Sequence, residues 1–196
     1  MKKLDLKTLY QKEINNHIQF ADILLEENYV EFRKFFEICF NSIKSQNKLI
    51  FFGNGGSAAD AQHIATELVV RYKKNRKSIP ALALSTDTSA MTAIGNDFSF
   101  DQIFSRQMES LGQEGDVAIG ITTSGKSPNV LNALKLAKKK KIKSILLTKK
   151  NLKNEKKLKQ ITNLIIGVPG SETARIQELH ILIGHLLCSA LDEVTN

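Results

Sequence analysis

Leu49-Ile50-Phe51-Phe52-Gly53-Asn54-Gly55-Gly56-Ser57-Ala58-Ala59-Asp60-Ala61-Gln62-His63-Ile64-Ala65-Thr66-Glu67 decides the fold of this 196-residue chain. Four consecutive apolar residues read as a buried strand, the glycines as a turn, and the remainder as a helix capped by Ser57. Glycines at 53, 55 and 56 let the backbone take positive φ and come close to a ligand. Free amides at a helix start favour an anion. Inside the helix, His63 and Glu67 are spaced i, i+4, so they share a face and can act on one atom. An anion-binding turn that feeds an acid/base or metal pair points to a phosphorylated substrate and proton-transfer chemistry.

Outward from this stretch, short apolar runs lie at 48–52, 81–85, 116–121, 143–148 and 163–168, with helical segments between most of them. Short buried strands alternating with helices predict a parallel sheet covered on both faces. Two amphipathic helices precede the sheet. Leu6, Leu9, Tyr10, Ile14, Ile18, Ala21, Leu24 and Leu25 recur at three and four, and Phe32, Phe35, Phe36, Cys39, Phe40 and Ile43 repeat the pattern. A last helix is expected from about Glu172 to Val194. The chain reads as a single domain over 1–196, with 1–46 as a helical pair packing on it. In open α/β sheets ligands sit at the carboxyl ends of strands, so the polar clusters there are the places to search.

A hydrophobic content of 42% with 24% charged residues is that of an ordinary globular protein. No apolar stretch reaches the roughly 20 residues that span a bilayer, and the polar N-terminus is not that of a secretory signal. Cys39 and Cys188 stand among apolar residues of helical periodicity, which predicts buried free thiols and fits a reducing cytoplasm. The net charge of +8 is concentrated in the Lys-rich stretch from Lys135 to Lys159. Arginines and aromatics are missing from that stretch, so it is read as a solvated helix end and loop and not as a nucleic-acid surface.

Gly120-Ile121-Thr122-Thr123-Ser124-Gly125-Lys126-Ser127 matches the phosphate-loop pattern G-x-x-x-x-G-K-[ST] letter for letter. A nucleotide site also needs an acidic residue at a strand end to hold Mg²⁺. The strands downstream, Ser144-Ile145-Leu146-Leu147 and Asn163-Leu164-Ile165-Ile166, carry none. What remains is a hydroxyl-rich anion loop of Thr122, Thr123, Ser124 and Ser127, with Ser127 as N-cap and Pro128 at the first helical position. Hydroxyls and helix amides suit a sugar phosphate.

Asn54-Gly55-Gly56-Ser57 with His63 and Glu67, Gly95-Asn96-Asp97-Phe98, Thr122-Thr123-Ser124-Gly125 and Thr173-Ala174-Arg175-Ile176-Gln177-Glu178 recur in that order. In these motifs the chain resembles the phosphoheptose isomerases of the sugar-isomerase (SIS) domain superfamily over nearly its whole length. The resemblance implies a three-layer αβα fold on a five-stranded parallel sheet of flavodoxin-like topology. It also implies a cytoplasmic homotetramer with active sites at subunit interfaces, without nucleic-acid or membrane partners. The implied reaction converts sedoheptulose 7-phosphate to D-glycero-D-manno-heptose 7-phosphate, towards ADP-heptose and lipopolysaccharide. By motif position, Glu67 and His185 match the catalytic pair. His63, Glu67, Gln177 and His185 match the site of one zinc ion per subunit. Asn54, Gly55, Gly56, Glu67, Asn96, Asp97, Thr122, Thr123, Ser124, Ser127 and Gln177 match substrate contacts. Gln177 and His185 are eight residues apart, about 12 Å along a helix, so one ion takes both only by lying between them. His17 and His180 are read as structural.

A rival of another class has the same fold: relatives of these isomerases act as regulators that bind the replication initiator. In them the residues matching Glu67 and His185 are typically replaced. This chain keeps both, which favours the enzyme.

Overall fold

The computed structural model describes residues 4–195. Its helices are α1 (Leu6–Glu27), α2 (Tyr29–Lys44), α3 (Gly56–Val69), α4 (Thr88–Asp97), α5 (Ile103–Leu111), α6 (Pro128–Lys139), α7 (Glu155–Ile161) and α8 (Thr173–Val194). The strands β1 (Leu49–Gly53), β2 (Ala81–Ala83), β3 (Val117–Ile121), β4 (Lys143–Lys149) and β5 (Leu164–Val168) fall on the five apolar runs. They form one parallel sheet in the order β2-β1-β3-β4-β5. This is the flavodoxin-like order, whose topological switch point lies between β1 and β3.

Alternation along β1 shows why the run is continuous and apolar. Leu49 and Phe51 pack with α2, α3 and α8 on one face, and Ile50 and Phe52 pack with α5 and α6 on the other. Every residue of β1 and β3 is buried. Both thiols, Cys39 and Cys188, are free and buried. Among the described residues no helix is long and apolar enough to cross a membrane.

The N-terminal helix departs from its sequence pattern. Leu24 is the one residue of α1 that this chain buries; Leu6 and Tyr10 are each 67% exposed and Ile18 50%. The chain's own core therefore covers only the C-terminal end of the stripe. Leu24 and Leu25, with Tyr29 and Phe32 of α2 and Ile183 and Leu186 of α8, line an apolar groove of about 410 Å³.

Candidate active site

Register brings the two polar loops together. Gly53 at the end of β1 pairs with Ile121 at the end of β3, so the turn at Asn54 and the loop from Thr122 open side by side at the switch point. Asn54 and Asn129 tie them with two reciprocal amide bonds of 2.9 Å; Asn129 is fully buried. A Cβ on Gly53 would stand 2.7 Å from the Ser57 Cβ and 2.8 Å from the Ile121 carbonyl oxygen. Only glycine permits this approach of helix to strand.

The turn begins its helix earlier than the sequence implies. Gly55 takes φ +56° and occupies the N-cap position of α3, which starts at Gly56. Ser57 is thus not the cap: it lies in the first turn, buried, and its amide donates to the Asn54 carbonyl at 3.0 Å. The glycine reverses the chain before the serine can do so. The second loop follows expectation. Ser127 is the N-cap residue of α6 and Pro128 stands at its start. The Ser127 hydroxyl lies 2.9 Å from that of Thr122, which also lies 3.4 Å from the Ser124 hydroxyl. Gly125 turns at φ +63°, and the Lys126 amide bonds the Ser124 hydroxyl at 3.2 Å. Lys126 itself is exposed. β4 and β5 end in Lys149 and Val168, so no strand-end acid after this loop completes a nucleotide site.

α3 and α8 build a second cluster. His63 Nε2 is 3.4 Å from Glu67 Oε1, one turn on, and 2.9 Å from His185 Nε2, which arrives from 122 residues away. Two facing Nε2 atoms require that one ring donate and the other accept. Burial pushes the His185 pKa below its ordinary value. His63 adds to that push and Glu67 opposes it, while Lys73 also lowers it. His185 is therefore a neutral imidazole at neutral pH, able to take a proton. Tyr72 stacks on it, with ring centroids 5.5 Å apart.

Gln177 sits elsewhere. Its amide donates to Asp60 Oδ1 at 3.3 Å and abuts the backbone of Gly56. Burial raises the Asp60 pKa against the opposing pull of Gln177 and His63, and Asp60 Oδ2 has no partner. Gln177 thus meets the first turn of α3, while His185 meets the turns that carry His63 and Glu67. Asn96 and Asp97 close α4, exposed, with the Asn96 amide donating to Asp97 at 2.8 Å. Of the predicted substrate contacts, Asn54, Gly55, Gly56 and Gln177 gather at the switch point with Thr122, Thr123, Ser124 and Ser127. Asn96 and Asp97 make no hydrogen bond to His63, Glu67 or His185.

Among the described residues no group of three or more His, Cys, Asp or Glu side chains stands ready to hold a metal ion. The donor types suit zinc. Two ligands of one tetrahedral zinc, with bonds of about 2.0–2.1 Å, stand about 3.3 Å apart, whereas the imidazoles here are at hydrogen-bond distance. Gln177 is turned to Asp60. The four predicted ligands therefore do not fit one ion as arranged, and no step below runs through a metal.

Sequence reading missed Tyr72, Asp60, Asn129 and the buried Arg76–Asp192 pair. Of these only Asp60 carried a local signal, three residues before His63 on the same helix face.

A doubly wound α/β domain with an anion loop at its switch point and a carboxylate–imidazole cluster defines a class: a domain for proton transfer on a phosphorylated metabolite. Residues 10–149 match the SIS domain family. The chain is 51% identical over 183 residues to the phosphoheptose isomerase of a Nitratiruptor species, covering 93% of this chain and 96% of the relative. Its fold superposes on the phosphoheptose isomerase of Neisseria gonorrhoeae with a TM-score of 0.88 at 37% identity, over 96% of this chain and 99% of that one. That of Francisella tularensis gives 0.89 at 31% identity, over 97% and 100%. The chain belongs to the phosphoheptose isomerases of the SIS domain family.

Proposed function

We propose that the protein converts sedoheptulose 7-phosphate to D-glycero-D-manno-heptose 7-phosphate through an enediol, in the cytoplasm, as the first step towards ADP-heptose and lipopolysaccharide. The observation that carries the chemistry is the chain Glu67–His63–His185, with contacts of 3.4 and 2.9 Å. Aldose–ketose interconversion moves one proton between C1 and C2 and another between their oxygens. Glu67 takes the carbon-bound proton and returns it to the neighbouring carbon; His185, neutral at rest, accepts and gives back the hydroxyl proton. Thr122, Thr123, Ser124 and Ser127 hold the phosphate with hydroxyls and the first amides of α6. Gln177, beside Gly56, binds the sugar hydroxyls, and Asn96 and Asp97 are further substrate contacts.

The reading includes a homotetramer with interfacial sites. Glu67 lies eleven residues beyond Gly56, about 16 Å along α3. A seven-carbon chain, with C–C bonds of about 1.5 Å, spans only about 8 Å when extended. That mismatch supports a site shared between copies, in which the carboxylate that meets a substrate held at one chain's switch point belongs to another. The uncovered stripe on α1, with Leu6, Tyr10 and Ile18 exposed, is the surface such an assembly buries.

Zinc belongs to the proposal as well. His63, Glu67 and His185 would hold it once the imidazoles part by a few tenths of an ångström. When bound it supplies polarisation of the carbonyl and neutralises enediolate charge. The test of the whole is direct: purified protein with sedoheptulose 7-phosphate alone, the aldose product resolved by chromatography, bound metal by elemental analysis and mass by light scattering. Absence of product from folded, metal-supplemented tetramer sinks the substrate assignment. Full activity in metal-free protein removes zinc from it.

A further inference from the structure

Residues 70–77 cross from α3 towards β2 without regular structure, yet one carboxylate gathers them. Asp192, near the end of α8, accepts the amides of Lys73 and Lys74 at 2.7 and 2.9 Å through Oδ2, and the Arg76 Nε at 2.7 Å through Oδ1. Both charged side chains are 1% exposed. Burial raises the Asp192 pKa, but the two amides and the guanidinium outweigh it and hold the carboxyl below the usual carboxylate range. Arg76 also donates to the carbonyls of Leu68 and Glu67, at 2.8 and 3.0 Å. These are among the last carbonyls of α3, which have no partner within the helix. One buried ion pair thus fixes the end of the helix that carries Glu67 and the segment that leaves it.

Tyr72 stands inside this clasp. Its ring stacks on the His185 imidazole at 5.5 Å with an interplanar angle of 18°. His63 meets the same imidazole edge-on, at 5.0 Å and 65°. On the next residue of the segment, the Lys73 ammonium reaches Ser189 of α8 at 3.4 Å, a further tie between segment and helix. A partly buried imidazole on a helix otherwise has two torsions to wander through; a flat ring laid against it removes most of that freedom.

We propose that Tyr72 is a positioning residue for His185, held against the imidazole by the Arg76–Asp192 clasp. The aromatic face is what counts, not the phenol oxygen, for which no hydrogen bond is made among the described residues. The kinetic part of the proposal rests on the isomerase reading; the structural part does not.

The test compares Tyr72→Phe, Tyr72→Ala and Asp192→Asn. Tyr72→Phe keeps the ring and retains kcat within about twofold. Tyr72→Ala lowers kcat at least tenfold, the scale on which misplaced catalytic groups act, and leaves KM nearly unchanged because the phosphate is held by other residues. The chain has four histidines, so selectively labelled imidazoles give resolvable NMR signals. The His185 ring signal, shifted by the Tyr72 ring current, moves in Tyr72→Ala, stays in Tyr72→Phe, and moves part of the way in Asp192→Asn. A His185 signal indifferent to Tyr72→Ala overturns the proposal, as does a Tyr72→Phe enzyme as slow as Tyr72→Ala. If the wild type fails to isomerise sedoheptulose 7-phosphate while the signal still moves, the substrate reading falls and the positioning stands.

Discussion

Gly56→Ala separates stability from activity at the switch-point turn. A Cβ built on Gly56 lies 2.7 Å from Gln177 Nε2 and 2.8 Å from both its Cδ and Oε1. Ordinary contact begins near 3.4 Å, so the amide must retreat by about 0.7 Å or more. Its bond to Asp60, already 3.3 Å long, breaks on that movement. The obstacle is the tip of a flexible side chain, so the fold yields at little cost. Gly56 has no positive φ and opens a helix, where exchanging glycine for alanine stabilises by about 0.4–1 kcal/mol through the unfolded chain. For a domain of this size that is about 2–4 °C in Tm per kcal/mol. The expected variant melts at or slightly above the wild-type temperature and isomerises about 10- to 100-fold more slowly, the loss that a displacement near 1 Å brings. Thermal unfolding and product formation are measured on the same preparation. Activity within twofold of wild type, at unchanged or higher Tm, would show that Gln177 has no part in handling substrate.

Glu67→Gln keeps the size of the side chain but cannot take a proton. Isomerisation is expected to fall at least about 10²-fold with the assembly intact, and a loss of only a few-fold removes Glu67 from the proton transfers. Ser124→Ala with Ser127→Ala raises the substrate KM far more than Lys126→Ala, each lost bond to a charged phosphate being worth about 1.5–3 kcal/mol; tight ATP binding abolished by Lys126→Ala would reverse the reading of that loop. His180 is fully buried, and burial lowers its pKa to about 4 against the ordinary 6.5, the Thr148 backbone opposing it only in part. Below 6.5 the unfolded chain takes a proton that the folded one refuses. Refusing that proton therefore adds no penalty above pH 6.5 and up to about 3 kcal/mol as pH falls to 4. Urea midpoints of His180→Leu should exceed wild type by more at pH 5 than at pH 8; an equal difference at both would mean that the ring titrates normally.

Much of the fold was legible because its determinants are local. The five apolar runs became five strands, and the inner strands β1 and β3 are buried at every position, as a strand covered on both faces requires. The i, i+4 spacing put His63 and Glu67 in contact for the same kind of reason. One local inference failed within a residue or two: Ser57 has the chemistry of a cap, but Gly55 at φ +56° turns the chain first, and a serine's preference is weaker than a glycine's freedom. The four-ligand metal set is not brought together in this arrangement, for a longer-range reason. Motif order supplies residue types but no distances, and eight residues of helix carry Gln177 to one end of α3 and His185 towards the other.

By itself, then, the sequence determined the parallel α/β layering, the two polar loops at the strand ends, the free buried thiols and the acid–imidazole pair on one helix, because each depends on periodicity or spacing within a few residues. Only the tertiary structure decided which distant residues complete them. His185 meets His63 across 122 positions, Asn129 locks Asn54 across 75, and Asp192 holds Arg76 across 116. Those meetings depend on the strand order that places β1 beside β3 and on α3 and α8 sharing one face of the sheet. Both are outcomes of packing the whole core at once, and no window of sequence contains them.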